Sequence, residues 1–133
     1  MIKPSKVVFI SDELEDNYNS LSEDDFIKKS IVRAVRDLKQ NAFAGIHVPK
    51  RLIPREYIKK YGINNLWKYD MPKGWRLMYT ITSENEVELI SAILEWFDHK
   101  EYERKFKYWI FLSQNKIKKI MNPKEFFKPI IGV

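Results

Sequence analysis

One arginine lies in a stretch that alternates apolar and polar residues as a β-strand does. In residues 75–81 one face carries Trp75, Leu77, Tyr79 and Ile81, and Arg76 falls on the other. A guanidinium in that place has two uses: it pairs with a carboxylate as a structural ion pair, or its planar fork binds a phosphate through two hydrogen bonds. The position by itself favours the ion pair.

A histidine and a tyrosine follow the next predicted strand. His99 and Tyr102 are three residues apart, a spacing that places both side chains on one side of a helix. Histidine moves protons near neutral pH, so His99 is a candidate general acid or base. The alternative is a capping or surface histidine. His47 has no such partner in the sequence and is interpreted as structural.

Positive charge is concentrated in two blocks. Residues 50–76 contain 8 basic and 2 acidic side chains, and residues 104–133 contain 8 and 1. Both blocks also contain aromatic residues. Cations neutralise phosphates and planar rings stack on unpaired bases, so this mixture is typical of single-stranded nucleic-acid binding. The same pattern also arises when core aromatics lie beside solvated cations, and the two interpretations stay open.

Composition excludes several classes of protein. The 133 residues, of which 44% are hydrophobic and 32% charged, predict one folded domain. Cysteine is absent, which excludes disulfides, thiolate metal sites and a cysteine nucleophile. With two histidines and no metal-binding spacing, we expect neither a metal nor another cofactor. No apolar run approaches about 18 residues, so we expect a cytoplasmic protein without membrane contact.

The elements that must position Arg76 and His99 can be predicted from periodicity and capping. The order is strand 6–10, helices 11–21 and 22–38, a short helix 54–62, strands 66–71, 75–81 and 87–96, and a helix capped by Asp98 that runs to residue 106. Two hairpins join the last three strands. Beyond Tyr108 the sequence fits either a further helix at residues 116–121 or an arm that orders on a partner.

Residues 74–79, Gly-Trp-Arg-Leu-Met-Tyr, followed about twenty positions later by His99 and Tyr102, resemble the RelE/ParE superfamily of toxins. The resemblance covers about residues 6–107. It implies an α+β domain over residues 1–107, with two N-terminal helices packed on one face of a small antiparallel sheet. A basic, aromatic C-terminal extension over residues 108–133 has no counterpart in that family.

The resemblance also implies an activity. RelE-type toxins cut messenger RNA at the ribosome without metal, using the 2′-hydroxyl of the RNA as nucleophile. Arg76 would then bind the scissile phosphate, Tyr102 would orient or stack on the substrate, and His99 would transfer a proton. The RNA-binding residues expected around them are Lys50, Arg51, Trp67, Lys68, Tyr69, Lys73, Arg104 and Lys105.

One difference from the family changes the expected mechanism. Trp67 and Tyr69 stand where RelE has two lysines before its key arginine, which leaves a histidine-based mechanism or no catalysis. The expected partner is a cognate antitoxin with an acidic segment that matches the basic block from Lys50 to Arg76. The alternatives are a ParE-like toxin that blocks DNA gyrase by protein contact and an inert nucleic-acid-binding relative.

Overall fold

β-branched and aromatic residues form a five-stranded sheet in the computed structural model, which describes residues 2–83, 85 and 87–115. The elements in chain order are β1 (Ser5–Phe9), α1 (Asp12–Ser20), α2 (Phe26–Gln40), β2 (Ile46–Val48), α3 (Arg55–Tyr61), β3 (Leu66–Asp70), β4 (Arg76–Ser83), β5 (Leu89–Phe97) and α4 (His99–Asn115), with 3₁₀ turns at Lys50–Leu52 and Pro72–Gly74. The predicted α+β class is confirmed.

The sheet is mixed rather than antiparallel. Its strand order is β1-β5-β4-β3-β2, in which β1 runs parallel to β5 and the other neighbours are antiparallel. The two predicted hairpins provide the antiparallel centre. The parallel pair joins the first and last strands, and β2 adds an edge strand where the sequence predicts only a break before Pro49.

The first two helices pack on one face of the sheet, as predicted. Ser11 caps α1 by accepting a hydrogen bond from the Leu14 N–H at 3.1 Å, and Asp25 caps α2 by accepting one from the Ile27 N–H at 2.8 Å. The buried side of α2 meets the apolar face of β4. The residues of this contact are Ile31, Ala34 and Leu38 from α2, Leu77 and Tyr79 from β4, and Ile93 from β5.

The opposite face of the sheet is covered by α3 and α4. Tyr57 from α3 and Tyr102 and Phe106 from α4 pack in one buried cluster with strand residues that include Leu66 and Met78. Since Arg76 and Met78 alternate with the residues that face α2, they project towards α4. The second helical layer therefore lies on the side of the sheet that carries Arg76.

The predicted boundary after residue 107 falls inside α4. The helix continues to Asn115, with its regular backbone interrupted at Phe106 (φ −118°, ψ 20°). The predicted helix at residues 116–121 lies outside the described residues, and the division into a domain and an extension stays a prediction. Within the described ranges, no helix is long and apolar enough to span a membrane.

Candidate nucleic-acid interface

The register between β3 and β4 brings three charged residues onto one face. Asp70 pairs with Arg76, and Lys68 pairs with Met78. Lys68 and Asp70 are two positions apart and therefore share the face of β3 that lies beside Arg76. Two cations and one carboxylate thus meet under α4.

The carboxylate of Asp70 lies between the two cations. Its Oδ1 is 3.3 Å from Lys68 Nζ and 3.1 Å from Arg76 Nε. The Arg76 Nε–H has no well-aligned acceptor, so its contact with Asp70 is an ion pair rather than a good hydrogen bond. Nη1 of the same arginine donates to the Gly74 carbonyl. Arg76 therefore makes the ion pair that its position favours, and its partner is Asp70.

Tyr102 forms a platform for both cations. The guanidinium carbon of Arg76 lies 4.6 Å from the centre of the Tyr102 ring, and Lys68 Nζ lies 5.1 Å from it. The tyrosine is 6% exposed. Burial raises the pKa of Tyr102, although the Arg76 charge opposes that shift. Its hydroxyl therefore keeps its proton at neutral pH, and the ring orients the cations rather than acting as a base.

His99 lies at the exposed rim of this cluster, in the first turn of α4. Its ring centre is 6.4 Å from that of Tyr102, and its Nε2 is 2.7 Å from a Glu103 carboxylate oxygen. Asp98 caps α4 by accepting a hydrogen bond from the Glu101 N–H at 2.9 Å. The cap sets where the helix begins, and with it the position of His99 beside Tyr102.

Gly74 closes the other side of the rim. Its φ is +79°, and a Cβ built on it would lie 3.0 Å from the Cβ of His99. Glycine therefore allows both the backbone conformation and the close approach of the histidine. The Gly74 carbonyl also accepts the Arg76 hydrogen bond, so one turn orients both candidate residues.

Trp67 and Tyr69, expected among the RNA-binding residues around Arg76, lie on the opposite face of the sheet from it. Both alternate with Lys68 along β3 and face the α2 side of the sheet. The Trp67 ring packs 5.0 Å from His47 and 5.4 Å from Phe43. The Tyr69 hydroxyl donates a hydrogen bond to Asp37 of α2.

The other predicted RNA-binding residues are spread over the surface. Lys105 lies between α3 and β5, 3.4 Å from Glu56 and 3.7 Å from Glu95. Arg104 pairs with Glu101 along α4. Lys73 lies 4.4 Å above the Phe26 ring at the start of α2. Lys50 and Arg51 are exposed at the 3₁₀ turn after β2.

Three residues of the cluster were missed at the sequence level. Asp70 lies two positions after Lys68, a spacing that shares a strand face, and Glu103 lies four positions after His99, a spacing that shares a helix face. Gly74 enters the sequence analysis only as the first residue of the motif at 74–79. These spacings could have identified the two acids, whereas the contact of Gly74 with His99 depends on how α4 packs.

Among the described residues, no group of three or more His, Asp or Glu side chains is placed to hold a metal ion. Comparison of the chain with known protein families, with curated proteins and with solved structures finds no match. The resemblance to RelE/ParE toxins therefore stays a prediction.

Proposed function

We propose that this protein is a toxin of the RelE/ParE kind that cuts RNA, with Arg76 holding the scissile phosphate. The observation that carries the proposal is the convergence of Lys68 and Arg76 on the ring of Tyr102, with His99 at the open rim. Two cations held on a buried ring form a site for the charge that develops on a phosphate during transfer.

Substrate binding begins with an exchange of partners at Arg76. The Asp70 carboxylate, half of whose side chain is exposed, pairs with the guanidinium. A phosphate also presents two oxygens to the guanidinium and can take the place of Asp70 in a bidentate contact. The guanidinium stays against the Tyr102 ring during this exchange, so its orientation is already set when the phosphate binds.

The reaction that fits these residues is attack by the RNA itself. The 2′-oxygen bonds to the adjacent phosphorus, the bond from phosphorus to the 5′-oxygen breaks, and a cyclic phosphate and a 5′-hydroxyl remain. His99 either accepts the proton of the 2′-hydroxyl or donates one to the leaving 5′-oxygen, and water carries the other proton. The Glu103 carboxylate, 2.7 Å from His99 Nε2, orients the imidazole.

The proposed setting follows from this activity. Messenger RNA on the ribosome is the proposed substrate, and the cytoplasm is the proposed location. The proposed partner is an antitoxin whose acidic segment covers the basic residues between Lys50 and Arg76. Charge complementarity supports that pairing, since residues 50–76 contain 8 basic and 2 acidic side chains.

A second candidate function is favoured by one observation. Arg76 already has an ion-pair partner in Asp70 and a hydrogen-bond acceptor in Gly74, which suits a purely structural arginine. A relative that keeps the fold without the chemistry, such as a ParE-like toxin acting on DNA gyrase by protein contact, would need no more than this.

A cleavage assay separates the two candidates. Purified protein is incubated with messenger RNA, with and without ribosomes, and the new 5′ ends and cyclic phosphates are mapped. The Arg76→Ala variant should lose cleavage, whereas Arg55→Ala, which removes an exposed cation at the start of α3, should retain it. An inactive wild type in both conditions, together with gyrase inhibition, would establish the second candidate.

A further inference from the structure

The exposed side of α2 presents cations that the candidate interface does not use. Lys29, Arg33 and Arg36 are exposed and follow one another at four- and three-residue spacing, which aligns them along one face of the helix. We call these three residues the α2 row. At 1.5 Å per residue the row is about 10 Å long. It faces away from Ile31 and Leu38, which are buried against the sheet.

The α2 row is available to a ligand. In the described part of the chain, its one ion pair is a loose contact of 3.8 Å between Arg36 Nε and Asp37, and the Arg36 side chain is 65% exposed. Surface pairs of this kind contribute little, so an incoming phosphate competes with water rather than with a strong internal partner. The three cations of the α2 row can therefore bind a polyanion, since they are not held in a network of internal ion pairs.

Aromatic rings border the row on the β3 side. Tyr69 is partly exposed and donates its hydroxyl to Asp37, the neighbour of Arg36 in sequence. Arg33 and Arg36 act electrostatically on the same hydroxyl. Trp67 lies two positions earlier on the same strand face, with the exposed His47 ring 5.0 Å from it. Cations beside partly exposed rings are the combination that single-stranded RNA uses.

One turn connects the α2 row to the residues around Arg76. We call those residues the Arg76 cluster; they are Lys68, Asp70, Arg76, His99 and Tyr102. Lys73 lies over the Phe26 ring at the first residue of α2, and the next residue, Gly74, contacts both Arg76 and the space beside His99. Lys73 therefore stands between the row and the Arg76 cluster.

We propose that Lys73 and the α2 row bind the phosphate backbone of single-stranded RNA next to the segment held at Arg76. This inference rests on the proposal that RNA is the substrate. The regular spacing of the cations, the bordering rings and the continuity with Arg76 favour RNA over an acidic protein segment. The proposed site binds the phosphate backbone of the RNA and does not select a base sequence.

The test compares two triple variants of equal charge. Lys29→Gln, Arg33→Gln and Arg36→Gln remove the α2 row, and Arg55→Gln, Lys59→Gln and Lys60→Gln remove three exposed cations from α3. Binding of a labelled uridine oligonucleotide is measured by fluorescence anisotropy at several salt concentrations, with poly-glutamate as a second probe. Circular dichroism checks that each variant is folded.

The α2 variant should bind the oligonucleotide about tenfold more weakly or worse, and the slope of log affinity against log salt should become shallower by about 2. The α3 variant should keep the wild-type slope. Equal losses in both variants, an unchanged α2 variant, or equally tight binding of poly-glutamate would each overturn the proposal. Since binding is measured without cleavage, an inactive enzyme that still shows the α2 effect would refute the nuclease and leave the RNA site standing.

Discussion

Arg76 on β4 and Tyr102 on α4 form a cation–π pair, with the guanidinium carbon 4.6 Å from the centre of the phenol ring. The strand and the helix come from separate parts of the chain, and β5 carries the chain from one to the other. Because the ring is buried, it limits the orientations that the guanidinium can take. The arrangement preorganises Arg76 whether its ligand is Asp70 or a phosphate.

A conservative substitution tests whether the planar guanidinium of Arg76 is needed. Arg76→Lys keeps a positive charge near Asp70 but loses the planar fork, so we expect cleavage to fall by about tenfold or more under single-turnover conditions. Arg55→Lys is the matched control, because Arg55 is exposed at the start of α3 and lies outside the candidate interface. Wild-type cleavage by Arg76→Lys would show that a positive charge at this position is sufficient.

The two histidines allow a direct comparison of roles. His99→Ala should reduce RNA cleavage by roughly two to four orders of magnitude, the usual worth of general acid–base catalysis, with little loss of RNA affinity. His47→Ala should leave cleavage nearly unchanged, because His47 packs on Trp67 on the other side of the sheet. Rates and affinities are measured separately for each variant. A His99→Ala protein with near-normal cleavage would contradict the proposed mechanism.

Gly62 and Gly74 differ in their distance from the site. Both have positive φ, so alanine at either should lower the free energy of unfolding by about 1 kcal/mol, as urea denaturation can measure. An added Cβ meets nothing within 4 Å at Gly62 but lies 3.0 Å from His99 Cβ at Gly74. Only Gly74→Ala should therefore also impair cleavage, by displacing His99. Equal activity of the two variants would argue that the position of His99 is unimportant.

The ionisation of Tyr79 should lower the free energy of unfolding at alkaline pH. Its buried hydroxyl donates to the Ala42 carbonyl at 2.8 Å and accepts from the Gly45 N–H at 3.0 Å. Tyr79→Phe leaves both backbone groups without this partner, so we expect a loss of about 1 to 3 kcal/mol at pH 7.

The direction of this pH effect follows from the shift in the pKa of Tyr79. Burial raises the pKa of Tyr79 to about 12, above its ordinary value near 10. The native state therefore holds the Tyr79 proton more tightly than the unfolded state does. The resulting contribution to the free energy of unfolding is complete below pH 10 and disappears as the pH rises towards 12. Tyr79→Phe should show a smaller fall in unfolding free energy over that range, measured by urea denaturation at each pH. An identical fall in both proteins would assign it to other tyrosines.

Local sequence features determined much of the architecture. Ser11 caps α1 where its side chain predicts, whereas α2 begins at Phe26 with Asp25 as its cap, later than the helix predicted from residue 22. The apolar spacing along α2 identifies the face that packs on the sheet. Alternation along β4 also separates Arg76 from the core residues Leu77 and Tyr79. These features depend on neighbours within a few residues, and for that reason they can be read from the chain alone.

Only the tertiary structure decided which surfaces meet. The sequence places Lys68 between Trp67 and Tyr69 but does not say that α4 covers the lysine side while α2 covers the rings. Nor does it specify that β1 pairs parallel with β5 or that β2 extends the sheet. A strand's alternation defines two faces, whereas the choice of covering helix depends on packing between segments far apart in the chain. That choice separates the rings from Arg76 and brings Tyr102 beneath it.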